Sequence, residues 1–216
     1  MNVFLDLDGP ILDNREKYYR LYRDLLWETP CRPLTMSQYW CLKRDRTPEH
    51  EILNRSAVPH SLHRDYLKAR ARLIESVDYL SLDRVWPGVH QWLNRCSDVN
   101  PTYLVTMRKR RRSLLTQLDR LKVLPYFHEV LSVDNNNGDW QVKHRLLQSY
   151  VAAGEPSVII GDTEADIEAG HHLGIPTVAV RSGIRNDSHL AETGPSLVVD
   201  SLVDVDLEEV MHVSQG

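Results

Sequence analysis

Six residues of this 216-residue chain have the types and spacing to do chemistry together. Asp6 and Asp8 leave the end of a short apolar run, Val3-Phe4-Leu5 with Leu7, and Gly9-Pro10 turns the chain away. Thr106 ends the run Thr102-Tyr-Leu-Val-Thr106, and Lys143 opens a helical stretch after the run Glu129–Val133. Asp162 follows Ser157-Val-Ile-Ile-Gly161, with Asp166 one helical turn further on the same face. In an open α/β sheet, ligands bind beyond the C-terminal strand ends, where these residues would meet. Carboxylates brought together repel, by ~1–4 kcal/mol for two charges ~4 Å apart in wet surroundings. A hard divalent cation relieves that repulsion, and Mg²⁺ takes oxygen ligands from a few carboxylates while keeping several waters. Such open positions suit a phosphate oxygen, with Lys143 and Thr106 as donors to the others. Singly, the same residues have plainer readings: Asp6 and Asp8 as a turn, Asp162 or Thr106 as a helix cap, Asp166 as a solvated acid.

The elements that must position them follow from texture. Apolar β-prone runs at residues 2–8, 102–106, 129–133, 157–160, 177–180 and 197–199 alternate with helical patterns, such as Val89, Trp92, Leu93 and Cys96. That alternation predicts an α/β fold, a doubly wound and mostly parallel sheet of Rossmann-like form. Residues 14–85 break it. They offer helical stretches near 14–27, 36–43, 48–55 and 60–79, a capping box at Thr35 and Gln38, and eight of the chain's sixteen aromatics. The expected organisation is an α/β core of residues 1–13 and 86–216 with an inserted α-helical cap over 14–85. The insert carries 14 Lys+Arg against 10 Asp+Glu, so a basic cap accompanies an acidic core in a chain of net charge −4.

Asp6-Leu-Asp-Gly9, Thr106, Lys143 and Gly161-Asp-Thr-Glu-Ala-Asp166 match in order and spacing the four motifs of the haloacid dehalogenase superfamily. Within it the chain resembles the phosphatase branch with a helical cap between the first two motifs, as in phosphoglycolate-phosphatase-like enzymes. The resemblance implies a Mg²⁺-dependent phosphatase in which Asp6 is the nucleophile that forms an aspartyl phosphate. Asp8 would protonate the leaving oxygen and later activate water. Asp6, the backbone carbonyl of Asp8, Asp162 and Asp166 would hold the metal. Thr106 and the amide of Met107 would bind the phosphoryl group, and Lys143 would neutralise Asp6. Two departures stand out: Met107 and Arg108 follow Thr106 where a small polar residue is usual, and no proline follows Lys143, to which Lys122 is the nearest rival. A phosphomutase would use the same residues, and a phospho-ligand-binding or regulatory module would want one of them lost.

The remaining features are read more plainly. Lys43, Arg44 and Arg46 form a basic cluster in the cap, either an exposed helix end or, with Tyr18, a contact to an anionic or strongly polar leaving group. The run 108–112 reads as a solvated first helical turn or, alternatively, as an attraction for a polyanionic substrate; without a nucleic-acid-binding motif or long basic stripe it does not point to nucleic acid. His171 and His172 lack a third ligand at helical spacing and read as surface or packing residues. The only low-complexity tract besides that basic run is Asn135–Asn137. Cys31, Cys41 and Cys96 are odd in number and far apart, as in a reduced, cytoplasmic protein. No apolar run approaches the ~20 residues of a membrane span, and the acids at 6 and 8 do not suit a signal peptide. The expected partner is a small phosphate ester, with no nucleic acid and no membrane; the oligomeric state is left open.

Overall fold

The computed structural model describes residues 1–133, 140–151 and 154–213, so the asparagine tract 135–137 lies outside the described residues. The chain forms two compact units, Asn14–Asp83 and the remainder. The first unit begins with β1 (Asn2–Leu5) and β2 (Leu12–Asp13). The inserted unit holds α1 (Arg15–Leu25), α2 (Met36–Arg44), α3 (Glu49–Arg55), α4 (His60–Leu73) and α5 (Val77–Leu80). Then follow β3 (Arg84–Val85), α6 (Val89–Ser97), β4 (Thr102–Thr106), α7 (Arg111–Arg120), β5 (Glu129–Ser132) and α8 (Trp140–Val151). The chain continues through β6 (Ser157–Gly161), α9 (Glu164–Leu173), β7 (Thr177–Val180), α10 (Asp187–Glu192), β8 (Leu197–Val199) and α11 (Leu207–Val213).

Six parallel strands form one sheet in the order β5-β4-β1-β6-β7-β8. Strand β1 lies centrally, Leu5 opposite Leu104 on one side and Ile160 on the other. Its side chains are buried on both faces, which is why the run is continuously apolar. Val3 and Leu5 join a core with Trp92 and Leu93 of α6 and Leu114 and Leu118 of α7, while Phe4 joins Leu147 of α8 on the opposite face. The sheet is therefore doubly wound. The chain runs from β1 through β4 to β5, then crosses to β6 and onward to β8, so the order reverses between β1 and β6. A crevice for ligand belongs at that reversal.

The inserted unit closes its own core on stacked tyrosines. The rings of Tyr22 and Tyr39 lie 4.6 Å apart, with Ile52, Leu53 and Tyr66 around them. The Tyr22 hydroxyl meets Ser56 Oγ at 2.7 Å and accepts from the Leu34 amide at 2.8 Å, so neither polar group is buried unmet. Thr35 and Gln38 form the capping box of α2. The last expected helix is two: Ser76 adopts extended backbone and separates α4 from α5. The second boundary also lies earlier than expected, because Arg84 and Val85 pair antiparallel with Asp13 and Leu12 and so belong to the α/β unit. No described helix is long and apolar enough to cross a membrane.

Candidate active site

The β1 ladder extends one residue beyond the strand, where the Asp6 amide donates to the Ile160 carbonyl at 2.9 Å. That bond fixes Asp6 at the reversal between β1 and β6. Asp162 is the first residue beyond β6, and Asp166 lies in the first turn of α9, whose backbone starts at Thr163. Asp166 is no solvated acid: it is buried, and its Oδ2 accepts from the Thr163 amide at 3.1 Å and hydroxyl at 2.7 Å. The other oxygen of Asp166 accepts from Lys143, in the first turn of α8, whose Nζ also donates to Asp6 Oδ1 at 2.7 Å. Lys122, the rival lysine, is exposed and closes α7 in left-handed backbone (φ 57°).

Oxygens of Asp6, Asp162 and Asp166 lie within 4.8 Å of one another, all buried. Burial pushes the Asp6 carboxyl up to about 7; the Lys143 charge opposes this and Asp166 adds to it. Burial, then the charges of Asp6 and Asp166, raise Asp162 well above the ordinary carboxylate range. Burial alone would lower the Lys143 ammonium, but Asp166 and Asp6 together hold it above its usual value. Three carboxylates thus cluster around one lysine, which donates to Asp6 and Asp166, and Asp162 Oδ1 is buried with no hydrogen-bond partner. An orphaned acid oxygen and a deficit of positive charge fit a hard divalent cation.

The surroundings of Asp162 were not apparent from its motif. Its Oδ2 accepts from the Ile184 amide at 2.6 Å. A side chain at Gly9 or Gly183 would collide with the Asp162 carboxylate, and Gly9 also adopts φ 108°, which disfavours any other residue. The Gly9 carbonyl accepts from Trp86 Nε1 at 2.8 Å and Ser182 Oγ at 3.0 Å, which ties the loop after β1 to the segments around β3 and after β7. The cue was a glycine shortly after a strand end at Gly183.

Thr106, at the end of β4, is buried, and its hydroxyl accepts from the Arg108 amide at 3.4 Å. Met107 between them is partly exposed. The reading of 108–112 as a solvated first helical turn holds for 109–112, which are exposed, but not for Arg108. Arg108 precedes α7, is buried, and donates from Nε and Nη2 to the two oxygens of Asp8, both at 2.7 Å. Arg111 donates to the Val130 carbonyl at 2.9 Å. A fork of donors met by a carboxylate explains why this arginine leaves solvent. His171 and His172 are exposed; His172 stacks on Trp140 with ring centroids 3.9 Å apart.

In the inserted unit, Tyr18 and Lys43 come together, with Lys43 Nζ 6.0 Å from the ring centre. Arg70, which the sequence did not single out, lies 5.6 Å from the same ring, and both cations pair with Glu49 Oε1. Arg46 is exposed in left-handed backbone (φ 56°) just beyond α2.

The doubly wound sheet and its acid cluster agree with the sequence comparison: haloacid dehalogenase-like hydrolases match over residues 3–180, and the chain belongs to that family. Among curated relatives, phosphoglycolate phosphatase 1 of Pseudomonas aeruginosa is 25% identical over 215 residues, covering 94% of this chain and 77% of that protein. A phosphoglycolate phosphatase of Pseudomonas syringae pv. syringae is 26% identical over 121 residues, 55% of this chain but only 44% of the relative's length. Among solved structures, a haloacid dehalogenase-like family hydrolase from Streptococcus pneumoniae superposes with a TM-score of 0.75 at 19% identity, covering 98% of this chain and 97% of that one.

Proposed function

We propose that the protein is a Mg²⁺-dependent phosphomonoester hydrolase acting on a small phosphorylated metabolite in the cytoplasm, through a phosphate carried on Asp6. The observation that carries this reading is the buried cluster of Asp6, Asp162 and Asp166 on one lysine, with an oxygen of Asp162 left unmet. Asp6, Asp162, Asp166 and the backbone carbonyl of Asp8 would hold Mg²⁺, which when bound neutralises charge on the phosphoryl oxygens. A carboxylate oxygen of Asp6 attacks phosphorus, and the bond to the leaving oxygen breaks as Asp8 gives that oxygen a proton. Water then attacks the same phosphorus, its proton returning to Asp8, and Asp6 is regenerated. Thr106 and the Met107 amide hold the equatorial oxygens, and Lys143 favours the ionised form of Asp6 and offsets the charge that develops. In the inserted unit, Lys43, Arg46 and Tyr18 are assigned to an anionic leaving group, consistent with that unit's excess of Lys and Arg.

The name shared by the Pseudomonas relatives makes 2-phosphoglycolate the first ester to try. The test is phosphate release over a panel of phosphorylated metabolites, with Mg²⁺ and with EDTA. Release that needs the metal is the expected result. Indifference to chelator, or isomerised phosphate esters without released phosphate, would overturn the reading.

A further inference from the structure

The segment between β7 and α10 wraps the Asp162 carboxylate. Gly183 approaches it so closely that a Cβ there would collide with Oδ2, and the next amide, that of Ile184, donates to the same oxygen at 2.6 Å. The other oxygen, Oδ1, is buried with no hydrogen-bond partner among the described residues. The donor to Oδ2 is a loop amide, so its place depends on what holds the loop. Before it, Ser182 Oγ donates to the Gly9 carbonyl at 3.0 Å. After it, Arg185 Nε donates to both oxygens of Glu164, each at 2.8 Å, and the two side chains are only 20% and 16% exposed. Glu164 opens α9 two residues after Asp162. The pair therefore closes a short ring, in which the residue following the donor is bound to a residue just beyond the acceptor. Arg181, at the start of the same segment, pairs instead with Asp187 and Asp200, whose side chains are 69% and 85% exposed.

We propose that Arg185, paired with Glu164, is a positioning residue of the metal site: it holds the Ile184 amide on Asp162 Oδ2 and so keeps Oδ1 for the cation. The proposal rests on the reading of the acid cluster as a Mg²⁺ site and adds to it a residue that is not itself a ligand. Mg²⁺ demands a near-ideal octahedron of short bonds, so a carboxylate free to turn binds it less well than one held in place. With Arg185 lost, the loop is anchored only through Ser182, and both the Gly183 wall and the Ile184 donor can move off Asp162. Arg181 holds exposed partners and has no such part.

The test is a titration of the metal-free full chain with Mn²⁺, which favours the same oxygen donors, the unbound ion being read by electron paramagnetic resonance. Arg185→Ala should bind Mn²⁺ about tenfold more weakly than wild type, the effect expected of a partner that orients a ligand. Arg185→Lys, which keeps a charge opposite Glu164, should retain most of the affinity, and Arg181→Ala all of it. Because Arg185 acts through Asp162, its loss should cost nothing further in the Asp162→Asn background. An equal loss in both backgrounds, or the same loss from Arg181→Ala, would mean a general loosening of the loop and overturn the proposal. Wild-type affinity in Arg185→Ala would overturn it too. In each of these cases the metal reading stands, provided wild type binds Mn²⁺ and Asp162→Asn weakens the binding. Wild type that takes up no Mn²⁺ would sink the metal reading and the proposal together. If Arg185→Ala melts early, Arg185→Gln against Arg185→Lys decides: equal affinities in the two contradict the proposal.

Discussion

In the α/β unit Asp6 and Asp166 share Lys143 with Asp162 close by, whereas in the inserted unit Lys43 and Arg70 share one oxygen of Glu49 beside Tyr18. The first cluster is buried, and that burial, with neighbouring carboxylates adding to it, raises Asp6 and Asp162 above their ordinary range. The second keeps contact with solvent, the side chains of Lys43 and Arg70 being 15% and 23% exposed. Unbalanced charge in a dry site is destabilising and persists where a ligand of opposite sign completes it. Charge that keeps some contact with solvent and lies beside an aromatic ring is less unfavourable. On the proposed function the α/β cluster is the one that takes the cation and does the chemistry, and the part assigned to Lys43 is confined to affinity.

Four substitutions sharpen or break that contrast. Asp6→Asn should lower phosphate release by more than about a thousandfold, since covalent catalysis is lost, while the melting temperature holds because the amide relieves carboxylate repulsion. Near wild-type turnover would dissolve the distinction between the two clusters. Asp162→Asn should raise the Mg²⁺ concentration for half-maximal activity about a hundredfold, read from a metal titration, as expected when a ligand is lost. An unchanged requirement would remove Asp162 from the metal site. Tyr22→Phe should destabilise the inserted unit by about 2 kcal/mol in denaturant melts, because the Leu34 amide loses its acceptor. It should leave the metal requirement alone; a shift there would mean the clusters are not independent. Lys43→Ala should have the smallest effect, raising KM about tenfold, or about 1.4 kcal/mol, for the best anionic substrate and less for nitrophenyl phosphate. A fall in kcat of equal size on both substrates would contradict the adjusting role.

The parallel strands were legible because burial on both faces leaves continuous apolar runs; Thr102–Thr106 and Thr177–Val180 have the expected ends, as does the half-buried edge strand Leu197–Val199. The pairing of β2 with β3 was not, since two residues per strand carry no period and the partners are far apart in sequence, Leu12 with Val85 and Asp13 with Arg84. Periodicity also ran through Ser76, where one extended residue divides a helix. In the site, acids at strand ends were visible from spacing. Arg108 was hidden by its neighbours: in a run of five basic residues nothing in composition marks the one whose partner stands 100 positions away. The same holds for the Ile184 amide on Asp162, a backbone donor that no residue type announces.

The central claim, that Asp6 carries phosphate during turnover, is tested most directly by acid-quenching the enzyme during hydrolysis of a ³²P-labelled ester and mapping the label by peptide. The account predicts Mg²⁺-dependent label on the peptide containing Asp6, absent in Asp6→Asn. Steady hydrolysis with no label on the protein at any quench time, or with label on another residue, would contradict it.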